Sequence, residues 1–256
     1  MQHDTASSQR EQPYDFANIL FAGPCNQRCP YCIGRQVDPG VNRPNLDRFP
    51  PRNLERFAAL LRRHDVRQIV LTGTNTDPQL YRHEEQLINW LRENVPRGAL
   101  SLHTNGQRVM NKIALLNRYN RATISFPSFD PHTFFRMTGV RRMPDLPAIL
   151  AAARIPVKVS SVITAENAAQ VDAFLARCHA IGVRRVVLRQ AYGGTSPPNP
   201  LADRSPVSFY RHNPVYDWDG MQVTWWNFGR TTSTSLNLFA DGTISTRYLL
   251  RGLPRA

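Results

Sequence analysis

No apolar run in the 256-residue sequence approaches the roughly 18 residues that a membrane span requires, so no membrane partner is expected. The first 14 residues, Met1 to Tyr14, lack the hydrophobic core of a secretory signal. They predict a frayed N-terminal arm on a cytoplasmic protein. Lysine is nearly missing: of 32 cationic residues only Lys112 and Lys158 are not arginine. No Ser-His-Asp or paired-carboxylate constellation stands out to suggest hydrolytic chemistry. Acidic residues are few as well, and the formal charge is +13. With 41% hydrophobic and 20% charged residues and a mean hydropathy of −0.41, the chain is neither an acidic disordered tail nor a membrane protein. Its length suits one large α/β domain, or a domain with a short appendage.

A surplus of positive charge suggests nucleic acid, anionic lipid or an acidic ligand. A genome that favours arginine codons is the plainer explanation. The arginines form no run of five or more, and no basic helix or interleaved aromatic and basic stretch is present, so nucleic acid is an unlikely partner.

What the chain does contain is three cysteines within eight residues, Cys25, Cys29 and Cys32, in GPCNQRCPYCIG. The fourth, Cys178, sits far away in a helical pattern and reads as a small buried hydrophobe. A structural zinc site takes four protein ligands, normally as two pairs, and a second pair is absent. A disulfide framework would leave one cysteine over. Three thiolates on one loop can instead each take one iron of a [4Fe–4S] cluster, leaving the fourth iron open.

The order of elements supports a site on that loop. FANILFA (16–22) reads as a buried strand ending at the cysteines. NLERFAALLRRH (53–64) reads as a helix with Asn53 as its cap, and RQIVLTG as the next strand. Helices near 83–95, 109–118, 145–153 and 167–181 alternate with strands at 99–103, 121–126, 156–163 and 184–189. The fold class is therefore α/β: a partial (β/α)6 TIM-type barrel with a parallel sheet over residues 15–192. Residues 193–256 then form a loop or lid, rich in Pro, Ser and Gly, and a small C-terminal β appendage with Asp241-Gly242 at a hairpin turn. The cysteine loop, GTNTDP, TNG and PSFD all fall at the C-terminal ends of strands, where barrel enzymes place their chemistry.

The cysteine spacing resembles that of the radical SAM superfamily. ISFPSFDPHTFFRMTG and IPVKVSSVITAENAAQVDAFLARCHAIGVRRVVLR are similar to strands 4 to 6 of its GTP 3′,8-cyclase branch. The resemblance implies an enzyme that reductively cleaves S-adenosylmethionine at a [4Fe–4S] cluster on Cys25, Cys29 and Cys32. The resulting 5′-deoxyadenosyl radical would take a hydrogen atom from substrate, with a reducing partner such as flavodoxin or ferredoxin. It assigns Tyr31 and Ser125 to S-adenosylmethionine, and aligns Gly73, Thr74, Asn75 and Asp77 with the segment that meets the methionine amino group. Thr104 and Asn105 lie on the neighbouring TNG turn, and Thr104 and Lys158 fall where the cyclase holds its nucleotide.

The chain also departs from that branch. It lacks three further C-terminal cysteines, where Ser245-Thr246-Arg247-Tyr248 stands, and it carries Asn18 and Val70 in place of two substrate-binding arginines. The expected substrate is thus a small anionic molecule held by cations at the barrel mouth, with Lys158 and Arg189 foremost and Arg230 or Arg247 as further candidates. His103 is a possible wall residue. Of Trp225 and Trp226, one belongs to the core and the other faces the loop or substrate. A peptide- or protein-modifying enzyme is the alternative, and an RNA-modifying protein a more distant one.

Overall fold

The computed structural model describes residues 14–193 and 197–251. Apart from Tyr14, the expected N-terminal arm lies outside the described residues. Strands β1 (Phe16–Phe21), β2 (Gln68–Gly73), β3 (Ala99–Thr104), β4 (Arg121–Ser125), β5 (Val157–Ile163) and β6 (Arg185–Gln190) lie side by side in chain order. All five of their pairings are parallel. Helices α1 (Leu54–Arg63), α2 (Glu84–Asn94), α3 (Ile113–Leu116), α4 (Pro131–Thr138), α5 (Leu146–Ala152) and α6 (Val171–Ala180) make the crossovers.

Helix and strand periodicity together build the core. In α1, Leu54, Phe57, Ala58 and Leu61 recur at helical spacing and are buried. They meet the outward strand positions, such as Ile19 and Phe21 of β1 and Ile69 and Leu71 of β2. The alternate residues of each strand point to the other face, the barrel interior. Burying each large aliphatic side chain contributes about 1.5–3 kcal/mol. Helix starts follow the sequence at α4 and α5, where Asp130 accepts from Thr133 N and Asp145 from Ala148 N. At α1 they do not: Asn53 makes no side-chain cap, and its amide donates to Gly242 O at 2.8 Å.

The C-terminal β extension is present, in two pieces. A meander of β7 (Ser208–Tyr210), β8 (Asn213–Trp218) and β9 (Met221–Trp226) pairs antiparallel within itself, and β9 then joins β6 in parallel. The pair β10 (Ser235–Leu238) and β11 (Ile244–Ser245) joins the far edge, β10 lying parallel to β1. One sheet of 11 strands results, with both open edges of the six-stranded unit extended. The segment expected to be a loop over 193–214 thus holds β7 and the first residues of β8. Its local signal is Asp219-Gly220, both at positive φ, between VYDW and MQVTWW, the chemistry of a two-residue hairpin turn.

Candidate active site

The cysteine loop leaves β1 at the C-terminal end of the parallel strands. Gly23 N donates to the Asn75 side chain at 3.1 Å, and Thr76 Oγ1 donates to Pro24 O at 2.6 Å. Arg28 N donates to Thr138 O at the end of α4. Gly34 explains the close approach of this loop to the one after β2, because a Cβ there would lie 2.2 Å from Thr74 O.

All three thiols are free of disulfides. Cys32 donates to Thr74 O at 3.7 Å, and Cys25 lies 4.0 Å from Asn105 Nδ2. Burial pushes the Cys29 thiol up to about 11, with the charges of Cys32 and Cys25 adding to the shift. Cys25 is raised mainly by burial as well. Such thiols give up their protons to a cationic centre that binds them. Three thiols gathered on one loop are a donor set that an iron–sulfur group can use, one thiolate to each iron. Tyr31 sits within this set, its hydroxyl in hydrogen-bonding reach of the Cys29 thiol.

The segment after β2 is fixed by close backbone contacts and by Asp77. Gly73 is required there, since a Cβ would fall 1.7 Å from Thr76 O, and Thr74 is fixed by its backbone N–H on Phe21 O at 2.8 Å. Asp77, expected at the methionine ammonium, is 2% exposed. Its carboxylate accepts from Gln79 N at 2.9 Å, from Asn105 N at 2.6 Å and from Thr104 Oγ1 at 2.9 Å. Burial raises its pKa to about 6 despite these donors. Asp77 and Thr104 thus support the loops from below, and what this segment presents to the mouth is its backbone and Asn75. Asn105 is likewise engaged, donating to Asn26 Oδ1 at 2.7 Å. Together these bonds lock the first three mouth loops to one another.

The inner wall of β3 to β6 is different. Strand register sets His103 beside Thr123 and Thr123 beside Lys158; one step nearer the mouth come Ser125, Ser160 and Val187; above them Val162, Arg189 and Trp226 are neighbours. Ser125 is exposed at the end of β4. Among the described residues no carboxylate pairs with Lys158 or Arg189, and Arg189 Nε is buried without a hydrogen-bond partner. Burial first, then Arg189, Arg185 and Arg121, lowers the Lys158 pKa to about 8. Burial first, then Arg189, Lys158 and Arg121, holds His103 well below its usual range, so the ring is neutral. Lys158 and Arg189 thus lie within electrostatic reach of one another and of Arg121, which the sequence reading did not single out. Arg230 and Arg247 are exposed.

Trp225 joins the core and Trp226 turns to the interior face. Cys178 is fully buried. On the β1 and β2 walls Asn18 and Val70 are register partners, and Asn18 donates to Asn237 Oδ1 of β10 at 2.7 Å, leaving that side without a cation. Another residue also escaped sequence reasoning. The tail after β11 crosses back to the cysteine loop, through Asp38 N on Leu249 O and Arg251 N on Gln36 O. This crossing places half-buried Tyr248 close enough to feel the charges of both Cys32 and Arg189.

Comparison with known proteins agrees with this geometry. Residues 19–188 match the family model described as Radical SAM superfamily. A GTP 3′,8-cyclase of Mycolicibacterium smegmatis is 32% identical over 147 residues, 54% of this chain and 39% of that one. A GTP 3′,8-cyclase of Klebsiella pneumoniae subsp. pneumoniae is 32% identical over 186 residues, 68% of this chain and 53% of that one. The chain thus spans about half or less of the length of these relatives. Streptococcus suis SuiB bound to S-adenosylmethionine superposes with a TM-score of 0.55 at 15% identity, over 75% of this chain and 42% of that one. SuiB bound to its precursor peptide SuiA also gives 0.55 at 15% identity, over 70% of this chain and 40% of that one.

Proposed function

The chain belongs to the radical SAM superfamily, and on that premise we propose that Cys25, Cys29 and Cys32 hold a [4Fe–4S] cluster serving hydrogen abstraction from a small anionic substrate. When bound, the cluster and S-adenosylmethionine supply reductive cleavage and, through it, a hydrogen-abstracting radical. A flavodoxin- or ferredoxin-type protein is the electron source in this reading.

The protein's own residues then have distinct tasks. The backbone of Gly73–Thr76 with Asn75 faces the methionine end of S-adenosylmethionine, and Tyr31 and exposed Ser125 flank the remainder. Lys158 and Arg189 hold the anionic group of the substrate within the barrel, where partial burial weakens screening by water. Arginine offers a planar fork for a carboxylate or phosphate, and Lys158 a point charge. Neutral His103 can donate or accept one hydrogen bond beside them. The single observation that carries this reading is a half-buried cationic wall with no acidic partner among the described residues, the buried Arg189 Nε atom having none of any kind. Such a wall is costly until an anion completes it.

A peptide substrate is the second reading, favoured by β7. It ends the sheet, and Val207 and Phe209 beside or on it are each 66% exposed. An extended peptide can add to such an edge.

The deciding experiment uses anaerobically reconstituted protein with reductant, assayed for 5′-deoxyadenosine against small phosphates, carboxylates and short peptides. Stimulation by a small anion, lost in Arg189→Ala, is expected. Stimulation by peptides alone would replace the first reading with the second, and no 5′-deoxyadenosine with any of them would overturn both.

A further inference from the structure

Several exposed arginines far from the cysteines are matched: Arg82 pairs with Asp47 at 2.7 Å, Arg118 with Glu85 at 2.6 Å, and Arg67 and Arg97 share Asp65. Beside the cysteine loop the pattern changes. Arg28, Arg108, Arg141 and Arg142 are exposed, and among the described residues none of the four has an ion pair. The carboxylates on that side are already engaged. Asp130 and Asp145 cap α4 and α5, and Glu166 pairs with Arg136 of α4 at 2.5 Å.

The four arginines form one patch round the cysteines. Arg28 N donates to Thr138 O at 2.7 Å, and a Cβ at Gly139 would lie 3.0 Å from Arg28 Cβ, so the end of α4 packs on the residue next to Cys29. Two residues on, the Arg141 guanidinium lies 4.9 Å from the centre of the Phe135 ring, which is itself 41% exposed. Arg142 O accepts from Gln107 Nε2 at 2.6 Å, which brings in Arg108. From Gln107 the bonds return to the loop: its N–H donates to Asn105 Oδ1, and Asn105 donates to Asn26, next to exposed Cys25.

We propose that this patch is where the electron donor docks: a protein of acidic surface with a one-electron carrier, seated over the cysteine loop on Arg28, Arg141 and Arg142. This inference rests on the cluster reading above and names the surface that its reductant uses. In the step concerned the reduced donor loses one electron and the group on the three thiolates gains it. The carrier must therefore come to rest beside that loop, where Arg28 adjoins Cys29. Arginine round an open aromatic ring is a composition enriched at protein interfaces, whereas one ring gives no platform for the successive bases of a nucleic acid. The complex must also part after each electron, which suits a small, charge-steered contact.

The test uses the reconstituted chain and a bacterial flavodoxin. Isothermal titration with oxidised flavodoxin reads binding at low and at physiological salt. Bleaching of the visible absorption reads reduction, by reduced flavodoxin or by dithionite, which needs no docking. The double variant Arg141→Glu/Arg142→Glu is expected to weaken binding about 10-fold or more and to slow reduction by flavodoxin, with the dithionite rate unchanged. Arg56→Glu/Arg63→Glu makes the same charge change on α1 and should keep binding within about 2-fold, since salt screens distant surface charge. Wild-type affinity should fall as salt rises. Equal losses in both variants, or flavodoxin binding that the first variant leaves unchanged, would overturn the docking face. So would tight binding of a short single-stranded RNA through Arg141 and Arg142 with no binding of flavodoxin. Absorption that dithionite does not bleach would overturn the cluster reading itself, and the docking face with it.

Discussion

The mouth of this barrel has two halves of opposite character, and the contrast is clearest in its two lysines. Lys112, in the half built on β2 and β3, donates to Glu84 at 2.8 Å and to Gln79 O at 2.6 Å. Lys158, on the β4 to β6 wall, has no carboxylate partner among the described residues. The first half is a mesh of neutral loops and matched bonds running from Pro24 and Thr76 through Asp77 to Asn105. The second keeps half-buried positive charge without an acidic partner. A loop mesh that is satisfied on its own can position a cofactor without changing shape, whereas a wall that is incomplete on its own gains most from the ligand that completes it.

The contrast breaks most visibly through Asp77. Asp77→Ala strips the acceptor from Gln79 N, Asn105 N and Thr104 Oγ1 at once, and is expected to lower unfolding stability by about 2–4 kcal/mol. Chemical denaturation measures this. Asp77→Asn, which keeps one acceptor oxygen, should recover part of the loss. A change below about 0.5 kcal/mol for the alanine variant would show that the mesh is not self-sufficient.

Arg189→Met tests the opposite half. Removing a half-buried cation that has no acidic partner should leave stability unchanged or raised, while affinity for a small anion drops by about 10–100-fold, the worth of a charge-assisted hydrogen bond. Calorimetric titration with ribose 5-phosphate reads the second effect. A variant that unfolds instead would mean that Arg189 serves the fold.

Lys158→Met has the smaller expected effect and a pH signature. The unfolded chain keeps the lysine proton up to its ordinary pKa of 10.5, but the folded protein releases it near 8. Folded Lys158 is therefore a burden below pH 8, and wild-type stability should rise as pH climbs from about 8 towards 10.5. At pH 7 Lys158→Met is expected to be more stable by about 1–2 kcal/mol, with the gain fading across that window. Anion affinity of the wild type should fall across the same rise, as the ammonium loses its proton. A pH-independent difference between the two proteins would remove Lys158 from the buried wall.

Much of this contrast was legible in the sequence, for physical reasons that differ by residue. The six strands and their helices follow from hydrophobic period, and the cysteine loop from three thiols at fixed spacing. Lys158 stood out because a rare cation on an apolar strand has few bland explanations. The hydrogen bonds of Asp77 were not legible, because the backbone N–H that its carboxylate meets belongs to Asn105, 28 residues away. The hairpin turn at Asp219-Gly220 was readable but masked by the proline-rich stretch before it. That β9 and β10 join opposite edges of the sheet has no local signal at all, since Ala17 and Leu236 become partners only in the folded chain.

Tyr248 owes its place to that same non-local pairing, and it offers the smallest and sharpest test. Its ring packs 5.9 Å from Phe239, and its hydroxyl lies within the charge fields of Cys32 on one side and Arg189 on the other. It is thus a polar group that both halves share. Tyr248→Phe keeps the ring and removes only the oxygen, so stability should change by less than about 1 kcal/mol. If the halves act separately, the effects of Tyr248→Phe and Arg189→Met on anion affinity will add. The shared position predicts otherwise: a double-mutant cycle should show a coupling of about 0.5–1 kcal/mol in anion binding. The pair Asp77→Asn and Arg189→Met, which share no partner, should show none. Strict additivity for Tyr248 would leave the tail as a packing strap alone, and measurable coupling for Asp77 would erase the boundary between the two halves.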